Sequence, residues 1–202
     1  MAQDLCIAAV SADIQPSCDN PKSAGLRKIG YLINKADIVN QATELQRKNV
    51  YVSLTLKQGA RAYTIYDSAK NSFAGSRTEM QSGEVSNTFN NIMAFAIRDE
   101  GPDLSLNVIT PLANGEFVGI MEQSWSNDNN GDNRFVIMGM ETGLKATSLP
   151  RQLTDEASGG AWMVELTETG AGQSGRYVWA GDYETTKAML DALTQTPTQP
   201  QP

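Results

Sequence analysis

The stretch Val50-Tyr51-Val52-Ser53-Leu54-Thr55-Leu56 indicates the fold more clearly than any other, because apolar and polar residues alternate along it. A period of two is typical of a β-strand with one buried side and one solvent-facing side. Gln58-Gly59 follows as a turn, and residues 60–66 continue with tyrosine and isoleucine. The sequence therefore predicts a β-hairpin over residues 50–66.

Further strands are predicted where β-branched and aromatic residues cluster between turn-forming residues. These strands are residues 26–33, 85–98, 116–125, 133–140, 161–167 and 176–180. Residues 85–98 are long for one strand, so a bulge is expected near Asn90-Asn91. The last two strands are predicted to pair with each other.

Short helices are predicted at three places, namely residues 38–48 capped by Asp37, residues 110–115, and residues 182 or 183 to 193. Residues 104–110 are either a short strand or the opening of the second helix. Thr110-Pro111 fits a helix start and Asn114-Gly115 fits a helix end. The whole chain is predicted to be mainly β, a β-sandwich or barrel with one or two short α-helices.

Three regions differ from this compact pattern. Residues 1–25 contain two prolines and several turn formers, and are predicted to be an extended N-terminal arm. Residues 67–84 are polar and are predicted to be a long inter-strand loop, which is uncommon in a compact domain unless it has a function. Residues 195–202 form a tail rich in proline and glutamine. Residues 26–194 are then one β-sandwich or barrel domain.

Composition excludes several classes of function. The formal net charge is −7 and the sequence pI is about 4.6, so the surface repels phosphate backbones and tight nucleic-acid binding is not expected. The same negative charge suits either solubility alone or an acidic channel wall that does not bind a passing polyanion. The chain has no histidine, which excludes Ser-His-Asp and Cys-His catalysis. We expect no enzyme and no cofactor.

Cys6 and Cys18 both lie in the N-terminal arm. Two thiols without a histidine do not complete a four-ligand zinc site. The two cysteines could instead form a disulfide, as cysteines in secreted proteins often do. The first residues, however, lack the basic start of a secretory signal. No run approaches the roughly 20 apolar residues that a membrane span needs. The sequence predicts a product made in the cytoplasm, with reduced cysteines and no membrane contact.

Asp128-Asn129-Asn130-Gly131-Asp132-Asn133 is the segment that most resembles a site. Oxygen donors at alternating positions could begin a calcium loop, but the glycine comes two places early and Gly139 stands where a bidentate glutamate should be. A polar hairpin loop is the preferred interpretation.

Residues 170–175 are rich in glycine but lack the lysine and the following helix of a phosphate loop, so a β-turn is predicted.

Carboxylate pairs and tryptophans give two further candidates. Glu165 with Glu168, or Asp99 with Glu100, could serve acid–base chemistry, but solvated side chains are the preferred interpretation. The three tryptophans could form a carbohydrate platform or belong to a core, and we favour the core; they are Trp125, Trp162 and Trp179. No catalytic, cofactor-binding or metal-binding residue is therefore predicted.

The order of arm, strand pair, long polar loop, β-domain, short helix and tail resembles that of bacteriophage tail tube proteins. Residues 50–66 are similar to the opening strand pair of that fold, and residues 67–82 stand where the family carries a loop that reaches a neighbouring subunit. Residues 109–123 (Ile-Thr-Pro-Leu-Ala-Asn-Gly-Glu-Phe-Val-Gly-Ile-Met-Glu-Gln) look like its short helix running into a strand. Residues 159–169 resemble a late strand of a virion protein.

This resemblance implies rings of subunits, expected to be homo-hexamers, that stack into a hollow tube with a continuous sheet as inner wall. The implied partners are other copies of the chain, other virion tail proteins, and DNA that passes without specific binding. The implied location is the virion. The alternatives are a capsid-associated decoration or fibre-base protein, or a lectin-like β-sandwich binding module. An enzyme that uses carboxylates alone is a third and weaker alternative.

Overall fold

The computed structural model describes residues 25–66, 73, 75–84, 86–127, 130–156 and 158–195. Within these ranges the chain is mainly β, as predicted, with two sheets and two helical segments. Both sheets are open, so the sandwich and not the barrel is found. The arm up to residue 24 with Cys6 and Cys18, most of residues 67–74, and the tail from residue 196 lie outside the described residues.

The larger sheet has seven strands in the order β2-β3-β11-β8-β7-β1-β4. All neighbours are antiparallel except β3 and β11, which are parallel. The strands are β1 Leu26–Asn34, β2 Ile38–Thr43, β3 Val50–Leu56, β4 Tyr63–Tyr66, β7 Phe117–Gln123, β8 Phe135–Met138 and β11 Arg176–Val178. A 3₁₀ turn, Lys35–Asp37, joins the first two strands.

The smaller sheet is antiparallel, with the strand order β5-β6-β10-β9. Its strands are β5 Arg77–Gln81, β6 Thr88–Ile97, β9 Lys145–Ser148 and β10 Trp162–Ala171. The register between β6 and β10 shifts where Asn91 and Phe89 oppose Glu168 and Ala171. This irregularity lies where a bulge was predicted, but the extra residue belongs to β10.

Two helical segments complete the described chain. The first, α1, covers residues 102–114 as an α-turn Pro102–Leu104, a π-helical turn Ser105–Ile109 and an α-turn Thr110–Asn114. The second, α2, is Tyr183–Thr194, and the Asp182 carboxylate caps it by accepting from the backbone N–H of Thr185 at 2.7 Å. None of the described helices is long and apolar enough to cross a lipid bilayer.

The centre of the larger sheet is buried on both faces, and strand β7 shows how its sequence achieves this. Val118 and Ile120 belong to the core shared with α2, whereas Phe117 and Met121 belong to the core shared with the smaller sheet. Gly119 is required on that second face, because an added Cβ would lie 2.2 Å from Met93 Sδ. The fold is therefore a three-layer arrangement of helix, large sheet and small sheet.

Two predicted local elements in the first half of the chain are wrong. Residues 50–66 do not form a hairpin, because β3 pairs with β2 and β11 while β4 pairs with β1. Residues 38–48 are not a helix, since residues 38–43 form β2 and pair with β3. Strand β3 is paired on both sides, by β2, which precedes it along the chain, and by the distant β11, so no free edge remains for β4.

The second half also differs from prediction. Residues 161–167 and 176–180 do not pair, because β10 and β11 belong to different sheets. Residues 77–81, predicted as part of a loop, form strand β5. Residues 104–110 are helical, and α1 begins at Pro102 instead of Thr110, so Thr110 is not its cap. The predicted helix end at Asn114-Gly115 and the C-terminal helix are confirmed.

A buried tyrosine joins α2 to the larger sheet. The Tyr31 hydroxyl donates to Asp191 at 2.6 Å and accepts from the Lys187 ammonium at 3.0 Å. Burial, followed by the hydrogen bond to Asp191, raises the pKa of Tyr31 to about 12. In the unfolded chain the phenol has an ordinary pKa near 10. The neutral phenol thus stabilises the fold at neutral pH, and that contribution is lost as pH rises from about 10 to about 12.

Replacing Tyr31 with phenylalanine should therefore flatten the loss of stability between pH 10 and pH 12. The measurement is the midpoint of thermal unfolding at intervals across that range. Tyr63→Phe is the matched control, because Tyr63 is 47% exposed and should leave the wild-type slope unchanged. Equal slopes for wild type and Tyr31→Phe would contradict the assignment.

Candidate functional site

Each open sheet ends in two edge strands, and three of these four edges carry features that prevent pairing with another strand. Strand β2 has two register shifts against β3, and β9 has one against β10. All five residues of strand β5 are exposed, and two of them, Arg77 and Glu79, are charged and form an ion pair at 2.6 Å. Bulges and charges of this kind disfavour contact with a further strand.

Strand β4 is the exception among the described edges. Its four residues pair with β1 in one unbroken register, from Leu32 opposite Tyr63 to Ile29 opposite Tyr66. All four are uncharged, and Tyr66 is 74% exposed. A regular, uncharged edge with exposed aromatic residues is the kind of strand that invites a further strand.

An apolar groove of about 680 Å³ lies beside this edge. Strand β4, the C-terminal half of β6 and helix α1 form its walls. Its main apolar lining residues are Tyr63, Ile65, Phe95, Ile97, Val108 and Leu112. Its volume and lining are those of a ligand or peptide site and not of a packing defect.

The β6 wall of the groove has a second open strand edge. Strand β5 stops pairing with β6 at Ile92, so residues 93–97 have no strand on that side among the described residues. At Ala94 the Ser76 side chain replaces the missing strand. Its hydroxyl donates to the Ala94 carbonyl at 3.1 Å and accepts from the Ala94 N–H at 3.0 Å. Beyond Ala94, strand β6 faces the groove.

Helix α1 supplies the third wall and continues the apolar surface outward. Leu112 is buried in the core, whereas Leu106 is 70% exposed on the π-helical turn. In that turn the backbone N–H of Thr110 bonds the carbonyl of Ser105, five residues earlier. Turns of this kind are rare and often lie at functional sites. The predicted start at Thr110 missed the signal at Gly101-Pro102, where proline occupies the first helical position.

The carboxylate pairs considered for acid–base chemistry are not brought together. Glu165 is half-buried and pairs with Arg77 at 3.4 Å, while Glu168 is buried on the other side of β10. Asp99 accepts from the backbone of Glu100, whose own carboxylate pairs with Arg151 at 2.7 Å. Glu165 and Glu168 were expected to be solvated, and for Glu168 that is wrong.

Glu168 anchors the smaller sheet to the loop after β8. Its two oxygens accept from the Asn91 amide at 3.0 Å and from the backbone N–H groups of Gly139, Glu141 and Thr142 at 2.9, 2.8 and 3.3 Å. Gly139 is required here, because an added Cβ would lie 2.4 Å from the Phe117 carbonyl. Four donors hold this carboxylate, so its role is structural.

A second buried carboxylate, Glu122, is held by three donors. It pairs with Arg27 and Arg134, each at 3.1 Å, and accepts from the Tyr183 hydroxyl at 3.1 Å. Arg134 also lies over the Tyr183 ring, with its guanidinium carbon 5.2 Å from the ring centroid. This cluster fixes the start of α2 against the large sheet.

The loop between β7 and β8 is a polar hairpin connection, as preferred over a calcium loop. Asp132 binds Arg47 and accepts from the Asn127 amide at 2.6 Å, so its carboxylate is already engaged. Asp128 and Asn129 lie outside the described residues. No group of three or more acidic or cysteine side chains in the described residues could hold a metal ion.

The remaining sequence candidates do not form a site either. Residues 170–175 are not the predicted turn between paired strands, because the first two end β10 and the other four lead to β11 in the other sheet. The Gly172 backbone N–H donates to Glu141 at 2.7 Å. Trp179 is buried, which confirms the predicted core position. Trp125 and Trp162 are half-buried, and Arg151 stacks over the Trp162 ring. The three rings do not form an exposed platform.

Replacing Glu168 with glutamine should lower the free energy of unfolding by about 2–3 kcal/mol, because charge-assisted hydrogen bonds are lost and an amide N–H then faces other donors. Urea denaturation measures this change. Glu165→Gln, a half-exposed ion-paired site on the same strand, is the control and should cost about 1 kcal/mol or less. Equal losses for both variants would contradict the role assigned to Glu168.

Comparison with known proteins gives no family for this chain. No family model, curated protein or solved structure matches it. The residues themselves then supply the evidence for a role. Among the described residues, β4 and the second half of β6 each have one edge with no neighbouring strand, and an apolar groove lies between them.

Proposed function

We propose that this chain is a virion structural protein of a bacteriophage that self-assembles into rings, stacked as the hollow tube of the tail. The observation that carries the proposal is the regular, uncharged edge of β4 beside the apolar groove. A lone subunit leaves the N–H and C=O groups of that edge without a partner strand among the described residues, and a second copy would supply one.

The chemistry of the described residues supports assembly over catalysis. The buried carboxylates Glu168 and Glu122 are held by four and three donors, and the chain has no histidine. Most of the groove lining is apolar, and its two charged residues, Arg98 and Asp99, directly follow strand β6. An apolar groove beside an open strand is instead suited to bind an extended segment of protein.

The net charge supports the proposed tube. At −7 the subunit carries more acidic than basic side chains, so a lumen built from many copies would not retain a DNA phosphate backbone. In this proposal the rings are hexamers located in the virion. The partners are further copies of the chain and other tail proteins, while DNA passes without specific binding.

A binding module is the second candidate, and the exposure of Tyr63 and Tyr66 beside the groove favours it. Exposed aromatic rings next to an apolar cleft can also receive a small ligand or a peptide from another protein. A binding module, unlike a tube subunit, would stay monomeric or form a small closed oligomer at high concentration.

Negative-stain electron microscopy of the purified protein tests the proposal, and we expect rings or tubes of uniform bore. Tyr66→Lys should reduce assembled material at least about tenfold, because a lysine on an edge strand opposes further pairing. Circular dichroism checks that the variant remains folded, which is expected for a side chain that is 74% exposed.

Val39→Lys is the matched control, since Val39 is also exposed but lies on the bulged edge of β2. It should assemble as wild type does. A wild-type protein that stays monomeric at every salt and protein concentration would refute the proposal, and so would a Tyr66→Lys variant that forms unchanged rings.

A further inference from the structure

The occupant of the groove can be named from the sequence, and we infer that it is residues 5–10 of a second copy of this chain, added as a strand to β4. This inference rests on the proposed self-assembly and identifies the contact that makes it. The groove supplies an uncovered strand edge, and residues 5–10 supply an apolar strand.

The composition of residues 5–10 matches the groove. The run Leu-Cys-Ile-Ala-Ala-Val contains no charge, glycine or proline. Residues 67–72 and 196–202, the other longer segments outside the described ranges, contain no large apolar side chain. A six-residue uncharged run of this type pairs readily as a strand and is an aggregation hazard if it stays exposed. Burial against another apolar surface would stabilise residues 5–10, and the same contact would bury the apolar walls of the groove.

The dimensions also agree. Six extended residues span about 20 Å, which exceeds the four-residue length of β4 and allows every backbone group of its free edge to be paired. Alternate side chains of an added strand point to opposite faces. One set of three would enter the groove between Ile65 and α1, and the other would cover Tyr66.

The connecting segment is long enough to reach a neighbouring copy. The described chain begins at Gly25, whose carbonyl accepts from the Ser124 N–H at 3.0 Å. Residues 11–24 precede it and span up to about 46 Å when extended. A domain of this size has a diameter of about 40 Å, so the segment can cross from one subunit to the next. If residues 5–10 bound in the groove of their own subunit, each copy would pair its own β4 edge and no two copies would be linked.

A disulfide-trapping experiment tests this contact, because Cys6 lies inside the run. The donor chain carries Cys18→Ser and keeps Cys6, and it is labelled with ¹⁵N. The acceptor chain carries Cys6→Ser, Cys18→Ser and Tyr66→Cys, with Tyr63→Cys as a second acceptor for the other strand face. Cysteines on adjacent strands come within the 4.4–6.8 Å between Cα atoms that a disulfide needs.

Mixing, assembly and mild oxidation should yield a disulfide-linked donor–acceptor dimer, identified by its mass under non-reducing conditions. Its yield should be at least about tenfold above that of a control acceptor with Met80→Cys. Met80 is a good control because it is 61% exposed but lies on the charged edge strand β5.

The other outcomes overturn the inference in distinguishable ways. A single chain with Cys6, Cys18→Ser and Tyr66→Cys that forms only an internal disulfide would show that each copy fills its own groove. Rings that form without a donor–acceptor disulfide at either acceptor position would refute this occupant and leave the proposed function standing. Absence of both rings and cross-links would refute the inference and the proposed function together.

Discussion

Burial of the central strands of the larger sheet on both faces is the constraint on which the rest of the structure depends. Apolar side chains alternate between the core under α2 and the core against the smaller sheet, as Val118 and Met121 do along β7. Where the sheet is covered in this way, it offers no face to another molecule. Only its edges, its loops and the surface seams between layers remain for contact, and the groove beside β4 lies at such a seam.

The layers are held in register by buried charge as well as by apolar packing. Glu168 connects the smaller sheet to the loop after β8, and Glu122 connects the larger sheet to the start of α2. In a low-dielectric interior, removing the partners of such a carboxylate costs far more than the intact cluster contributes over an apolar substitute. These acidic residues therefore fix how the layers meet, and they are not available to act on a substrate.

The sequence predicted the class of fold but not its pairing. Alternation at residues 50–56 and the cap at Asp182 are local signals, so strand β3 and helix α2 could be found from them. Which strands are neighbours depends on contacts far apart in the chain, such as the parallel pairing of β3 with β11. The predicted hairpin failed for this reason. The groove could not be predicted either, because its walls come from three separate parts of the chain.

The contrast among the four edges also bears on the symmetry of any assembly. Bulges on β2 and β9 and charges on β5 protect those edges, so the edge of β4 is the one prepared for a strand from outside. The proposed donor segment, residues 5–10, and the groove beside β4 are different parts of the same molecule. In the proposed assembly their contact would be head-to-tail, so each copy would keep one free donor and one free acceptor until the chain of copies closes. Closure removes both free ends and gives a ring, which is the shape a stacked tube requires.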